Sequence, residues 1–219
     1  RDYSSKIIQI IKKNKINLII PGSDEEAENL CKNRSLFENK NCVLGSVNLK
    51  TLSNFTNKEK TYLSLKKNKL PCAEFYIAKN QVELIKYIKK FNKREFVIKP
   101  SISRGGRDVS VFRNDISKIY FYNDKKEIHF PNREKKIFEI KKNYKGKYPL
   151  ILSERLFSPI YDIDMLGFKG KMINVVVRKR LNPQVPNDGH EIIRHKKIQE
   201  IGKKIIKNYN LSWLYDCDC

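Results

Sequence analysis

The chain has 219 residues, enough to bury a core in one or two compact units. It is 40% hydrophobic and 11% aromatic, and its longest unbroken apolar runs are about four residues, which excludes a membrane-crossing helix of roughly 20. The net charge is +22, from 46 basic and 24 acidic residues, but the excess is mostly lysine scattered along an Asn- and Ile-rich chain; without one basic block, it argues against a dedicated nucleic-acid partner.

Isoleucines at 7, 8, 10 and 11 predict a helix over 3–14. "INLII" (16–20) reads as a short buried strand. "PGSDEE" then turns the chain, with Ser23 or Asp24 placed to cap a helix over about 25–33. "CVLGS" (42–46) is a second strand, and this β-α-β rhythm predicts a parallel sheet with flanking helices. A helix is expected from Lys58 to about Asn68, a strand over 75–78, a helix over 80–91 and a strand over 96–99. "VSVF" (109–112) returns as the hairpin partner of that strand. The polar stretch 114–148 is expected to hold short strands and a basic helix near 132–143. "LILSERLF" (150–157) is a strand running into a hinge. Residues 161–168 and 171–180 alternate around "KG" as a hairpin, 191–208 carries a helical Ile198–Ile201–Ile205 period, and "WLYDCDC" begins another strand.

Five cysteines, at 31, 42, 72, 217 and 219, form an odd set without a CxxC pair. They fit a reducing, cytoplasmic compartment better than a disulfide framework or a zinc site. No secretory apolar region follows the N-terminus. The chain opens on Arg1 and closes on a strand, so a fragment cut at both ends is expected.

The segment "EFVIKPSISRGGRDVSVF" (95–112) carries the chemistry. A strand ends in Lys99, and a loop with paired glycines and two arginines leads into the next strand. Glycine loops hold phosphates because backbone N–H groups approach oxygens with no Cβ in the way. Lys99, Arg104 and Arg107 add positive charge for those oxygens. The loop joins two strands, so it is neither a Walker loop nor a Rossmann turn, both of which lead into a helix. The alternative for the loop alone is a β-turn with solvated arginines.

In order along the chain, "NKEKTYLSLKKNKLPCAEFY" (57–76), "FVIKPSISRGGRDVSVF" (96–112), "LILSERLFSPIYDIDML" (150–166) and "VVVRKRLNP" (175–183) resemble the ATP-grasp superfamily, particularly its carbamoyl-phosphate-synthase-like and carboxylate–amine ligase members. The resemblance implies an α/β protein: residues 1–56 as the end of a small parallel-sheet pre-ATP-grasp domain, and 57–219 as an ATP-grasp domain of two α+β lobes with its C-terminal part missing. It also implies ATP and Mg²⁺ as cofactors and small carboxylate and amine substrates. Lys60 and Lys99 match phosphate-contacting lysines. Ser101, Arg104, Gly105, Gly106 and Arg107 fall in the loop that closes over the β- and γ-phosphates, where Asp108 replaces a frequent third glycine; Asp tolerates a left-handed backbone better than most residues. Glu154, Arg155 and Leu156 match the hinge that holds adenine.

Arg178 and Arg180 share one strand face and match basic residues that meet the γ-phosphate and the acyl substrate. Ile160 stands where the family has a ribose-binding Glu, and Asp162 is the expected substitute. Asp218 matches the first metal ligand, with Asp216 on its face; the family's second metal motif is absent from this sequence. The implied activity is an ATP-dependent ligase that activates a carboxylate, or bicarbonate, as an acylphosphate for attack by an amine or another nucleophile. The alternative is a basic nucleic-acid or anion-binding module that keeps the fold without the chemistry.

Overall fold

The computed structural model describes residues 3–91, 94–103, 106–122, 127–131, 144, 147–183 and 188–219. Their contacts divide into two units, one made of Arg1–Thr56 with Ser158–Cys219, the other of Asn57–Phe157. The predicted basic helix near 132–143 lies outside the described residues.

In the first unit, α1 (Tyr3–Asn14), α2 (Asp24–Lys32), α3 (Arg34–Glu38) and α4 (Leu49–Thr56) surround two short strands, β1 (Leu18–Ile19) and β2 (Val43–Leu44). The strands pair in parallel, as the β-α-β rhythm predicts, but each is shorter than expected. Ser23 is the α2 cap: its hydroxyl accepts from the Glu26 N–H at 3.2 Å, ahead of an acidic first turn that suits the helix dipole. Ile11, Leu30, Phe37, Cys42, Leu44 and Leu52 form the core beneath these helices.

The same unit holds a four-stranded antiparallel sheet in the order β11-β10-β9-β12: β9 (Tyr161–Phe168), β10 (Lys171–Arg180), β11 (His190–Ile193) and β12 (Trp213–Asp218). The β9–β10 turn is the expected "KG", with Lys169 and Gly170 both at positive φ (47° and 76°). One sheet face is closed by α7 (Lys196–Asn208), through Ile198, Gly202, Ile205 and Ile206. Gly202 allows close packing there, because a Cβ would stand 3.1 Å from Met165 Sδ and 3.3 Å from Ile163 Cγ2 and both would have to shift. On β12, Trp213 and Tyr215 meet the N-terminal segment: the Gly45 backbone lies against Trp213, and Phe55 packs on Tyr209 and Tyr215.

The expected helix over 191–208 begins five residues later. His190–Ile193 instead completes the sheet against β10, and His195 caps α7 by accepting from the Ile198 N–H. Two β-branched isoleucines at 192 and 193 favour that extended segment.

The second unit contains α5 (Lys58–Lys67), β3 (Phe75–Ala78), α6 (Gln81–Phe91), β4 (Phe96–Pro100), β5 (Val109–Arg113), β6 (Tyr120–Tyr122), β7 (Glu127–Pro131) and β8 (Leu150–Glu154). Its sheet runs β3-β8-β4-β5-β7-β6, and β5 with β7 is the parallel pair. Phe96 opposes Phe112, which opposes Phe130, so their rings form a row across three strands with centroids 4.4 and 5.3 Å apart. Phe91 of α6 extends the row at 5.5 Å from Phe96.

Candidate active site

In the second unit, α5 anchors the start of the glycine loop. Asn57 caps α5 by accepting from the Lys60 N–H at 3.2 Å, and the Lys58 N–H donates to the Ser101 carbonyl at 2.8 Å. Lys58 Nζ also reaches the Ser103 carbonyl and hydroxyl. Lys60 stands exposed on the first turn of α5. Lys99 lies on the β4 face away from Phe96 and Ile98; its Nζ donates to the Tyr62 hydroxyl at 3.0 Å, and the ring lies beneath it.

Ser101 is buried, Gly106 has φ 70°, and Arg107 is exposed. Arg104 and Gly105 lie outside the described residues. Asp108 adopts φ 60°, the left-handed conformation a glycine there would take most easily. Lys147 pairs with its carboxylate at 2.6 Å, and the Tyr144 hydroxyl donates to its carbonyl at 2.8 Å. Tyr144 is almost fully buried, and that burial pushes its phenol well above the ordinary range. Neither Lys58 nor Tyr144 is singled out by the sequence motifs; the first reads as one helix lysine among several, and the second sits in a polar stretch without periodicity.

At the end of β8, Glu154 and Arg155 both have partners. Glu154 Oε1 accepts from the Glu74 N–H at 2.8 Å. The Arg155 guanidinium pairs with the Glu95 carboxylate and lies over the Phe157 ring. Leu156 and Phe157 are both mostly exposed, two large apolar side chains on a short polar-flanked segment.

In the first unit, the sheet face away from α7 gathers charge. The register sets Asp162 between Arg178 and Asp218, and Asp164 between Val176 and Asp216. Paired residues point to the same side of a sheet, so four carboxylates and two guanidiniums share this face. Arg178 grips Asp164 through Nε at 2.5 Å and Nη2 at 2.9 Å. Arg180 grips Asp162 through Nε and Nη2, and the same Nη2 reaches Asp218 Oδ1 at 2.6 Å. His190, opposite Arg180 on β11, places Nε2 3.0 Å from Asp162 Oδ2. It belongs to this cluster, and only the β10–β11 register reveals that.

Asp162, Asp216 and Asp218 form the one set of three metal-ligating side chains among the described residues, with ligand atoms all within 4.8 Å of one another. Asp162, expected at the ribose, is only 2% exposed, and its carboxylate accepts from Arg180 and His190, which places it in this cluster. Burial opposes its ionisation, but hydrogen bonds from Arg180, Asp218 and His190 outweigh that and hold it well below the usual carboxylate range. Asp218 moves the other way. Desolvation, the hydrogen bond to Asp162 and like charge push it up to about 6 against the pull of Arg180, even though its side chain keeps an open outer side. Asp216 is raised by desolvation and by its carboxylate neighbours. The carboxylates on this face are therefore incompletely compensated by its guanidiniums. An all-oxygen donor set of this kind suits a hard divalent cation such as Mg²⁺ or Mn²⁺.

The fold is that of the ATP-grasp ligases. The biotin carboxylase domain of the 2-oxoglutarate carboxylase of Hydrogenobacter thermophilus, solved with MgADP, ADP and bicarbonate, superposes with a TM-score of 0.66 at 18% identity, over 98% of this chain and 47% of its own. The N5-carboxyaminoimidazole synthetase of Staphylococcus aureus, complexed with ADP, gives 0.61 at 12% identity over 97% of this chain and 51% of its own. The D-alanine–D-alanine ligase of Bacillus anthracis, complexed with ATP, gives 0.61 at 13% identity over 97% of this chain and 66% of its own. The chain thus spans about half to two-thirds of the length of these structures. No protein-family model and no curated protein sequence matches it.

Proposed function

We propose that the protein acts as an ATP-dependent ligase that activates a small carboxylate, or bicarbonate, as an acylphosphate for attack by an amine or another nucleophile. The observation that carries this reading is the carboxylate cluster of Asp162, Asp216 and Asp218 beside Arg178 and Arg180, on an ATP-grasp fold. In this reading residues 1–56 end a pre-ATP-grasp domain, 57–219 belong to the ATP-grasp domain, and the enzyme works in the cytoplasm.

Lys60, Lys99 and the loop from Ser101 to Arg107, with Arg104, Gly105 and Gly106, bind the nucleotide phosphates. Glu154, Arg155 and Leu156 flank the base: Leu156 offers an exposed apolar side chain, while the side chains and backbone N–H groups of Glu154 and Arg155 are engaged within the protein. Arg178 and Arg180 offset charge on the transferred phosphoryl group and orient the carboxylate. Asp218, with Asp162 and Asp216, would hold Mg²⁺, which supplies further neutralisation of phosphate charge when bound. Catalysis then consists of positioning and charge neutralisation, with no protein nucleophile.

The test is ADP release on a panel of amino acids and other small carboxylates, with ammonia or a second amino acid as nucleophile and hydroxylamine as an acylphosphate trap. Carboxylate-dependent release of ADP and a trapped hydroxamate are expected, both sharply reduced in Asp218→Asn. ATP binding without any carboxylate-stimulated ADP release would overturn the ligase reading. Tight, salt-dependent DNA retention without ATP affinity would favour a binding module instead.

A further inference from the structure

Asp162 is the most buried carboxylate of the cluster, its side chain only 3% exposed, and a charge so placed requires a counter-charge. Arg180 supplies it. Its Nη2 lies 2.5 Å from Asp162 Oδ1 and 2.6 Å from Asp218 Oδ1, bridging two of the three carboxylates that a divalent cation would share. Such a cation draws its oxygens to about 2.0–2.6 Å, so it and the guanidinium compete for the same acceptors and repel each other across them. Arg178 stands differently. Its two-pronged partner is Asp164, outside the set of three, and Asp216 is 3.6 Å from its Nη2. His190 meets Asp162 at Oδ2, which Arg180 Nε also reaches, and can hold that side chain in place once the arginine leaves.

Resting on the reading that this cluster binds a divalent cation, we propose that Arg180 is its resident counter-cation, displaced when the metal enters and thereby freed for an anionic ligand, while Arg178 remains on Asp164. Metal binding and arginine availability are then one event. Without metal Arg180 holds Asp162 and Asp218 in partial compensation, and the guanidinium becomes free only when the second cation is in place.

This assigns a sign that a scaffolding role would reverse. Magnesium affinity, measured by calorimetry on the purified protein without nucleotide, should rise about tenfold in Arg180→Gln, because the competing charge is gone. Arg178→Gln should change it by less than about threefold, its main partner lying outside the set. Circular dichroism checks that each variant is folded. If Arg180→Gln does not fold, Arg180→Lys serves instead: it keeps the charge but loses the fork across two carboxylates, and it too should bind Mg²⁺ more tightly than the parent. Unchanged or weaker Mg²⁺ affinity in the folded Arg180 variant, with clear binding to the parent protein, overturns the counter-cation role and leaves the metal site standing. No binding of Mg²⁺ or Mn²⁺ to any form overturns both.

Discussion

Lys99 is proposed to meet a nucleotide phosphate, and its surroundings suit that role. Its ammonium rests on the hydroxyl and ring of Tyr62, a neutral support, and among the described residues no carboxylate pairs with it. Its charge is therefore held in place without being neutralised. Losing one charge-assisted contact to a phosphate removes about 1.5–3 kcal/mol, roughly 10- to 150-fold in affinity. Lys99→Ala should weaken ATP binding in the presence of Mg²⁺ by that much in calorimetry, and Tyr62→Phe by less, because the ring survives. Equal affinities for parent and Lys99→Ala would remove Lys99 from the nucleotide site. At this scale the sequence was legible where placement follows from position on a strand. Arg178 and Arg180, two apart, do share a face, and Asp108 does take the left-handed backbone that its replacement of a glycine implied. Tyr144 and His190 were not legible. Their partners lie 34 and 28 residues away, at Ser110 and Asp162, and a pattern read along the chain contains no such distances.

Elements were read most surely where period and caps agree. α1 over 3–14 and the β9–β10 hairpin emerged as expected, because isoleucine spacing sets the first and a two-residue turn the second. α7 was extended too far back. The sequence 191–195 carries apolar residues compatible with either period, and tertiary pairing with β10 decided it. The parallel match of β5 with β7 also lay beyond the sequence, since it depends on a crossover through polar residues. What holds that part of the sheet is the row Phe91, Phe96, Phe112 and Phe130, all buried and stacked. Ring pairs of this kind add about 0.5–1.5 kcal/mol each beyond area burial. Phe112 has a neighbour on either side, so Phe112→Ala should destabilise the second unit by about 3–5 kcal/mol. Val82→Ala, on an exposed face of α6, should cost less than about 0.5 kcal/mol. Urea unfolding followed by circular dichroism would measure both. A loss under about 1 kcal/mol for Phe112→Ala would show that the row packs without bearing stability.

For the whole molecule the governing quantity is charge. A chain at +22 repels itself when compact, and its 24 carboxylates are what hold the excess down. Several of them are stabilised in their ionised form by folding. Arg113 holds Asp115 down to about 2 by a two-pronged hydrogen bond, Arg94 and Tyr76 lower Glu74, and Tyr3 and the Gly22 N–H lower Glu26. A carboxyl with a folded pKa below its unfolded value contributes stability above about pH 4, and that contribution is lost as pH falls through the folded value. Protonation of the remaining carboxylates raises the net positive charge over the same range, so both effects act in one direction. Thermal unfolding followed by fluorescence should therefore show a melting temperature that drops steeply below about pH 4, and Asp115→Asn should flatten the part of that drop between about pH 4 and 2. Salt supplies the opposing test. The ion pair at Glu74 is about half exposed and worth little, and the two-pronged contact at Asp115 acts between adjacent side chains, whereas repulsion spread over the whole surface is screened within about 8 Å at physiological ionic strength. Added sodium chloride should accordingly raise the melting temperature at neutral pH. A melting temperature that falls with salt would mean that local ion pairs outweigh the global repulsion, and that the net charge has little hold on the stability of this fold.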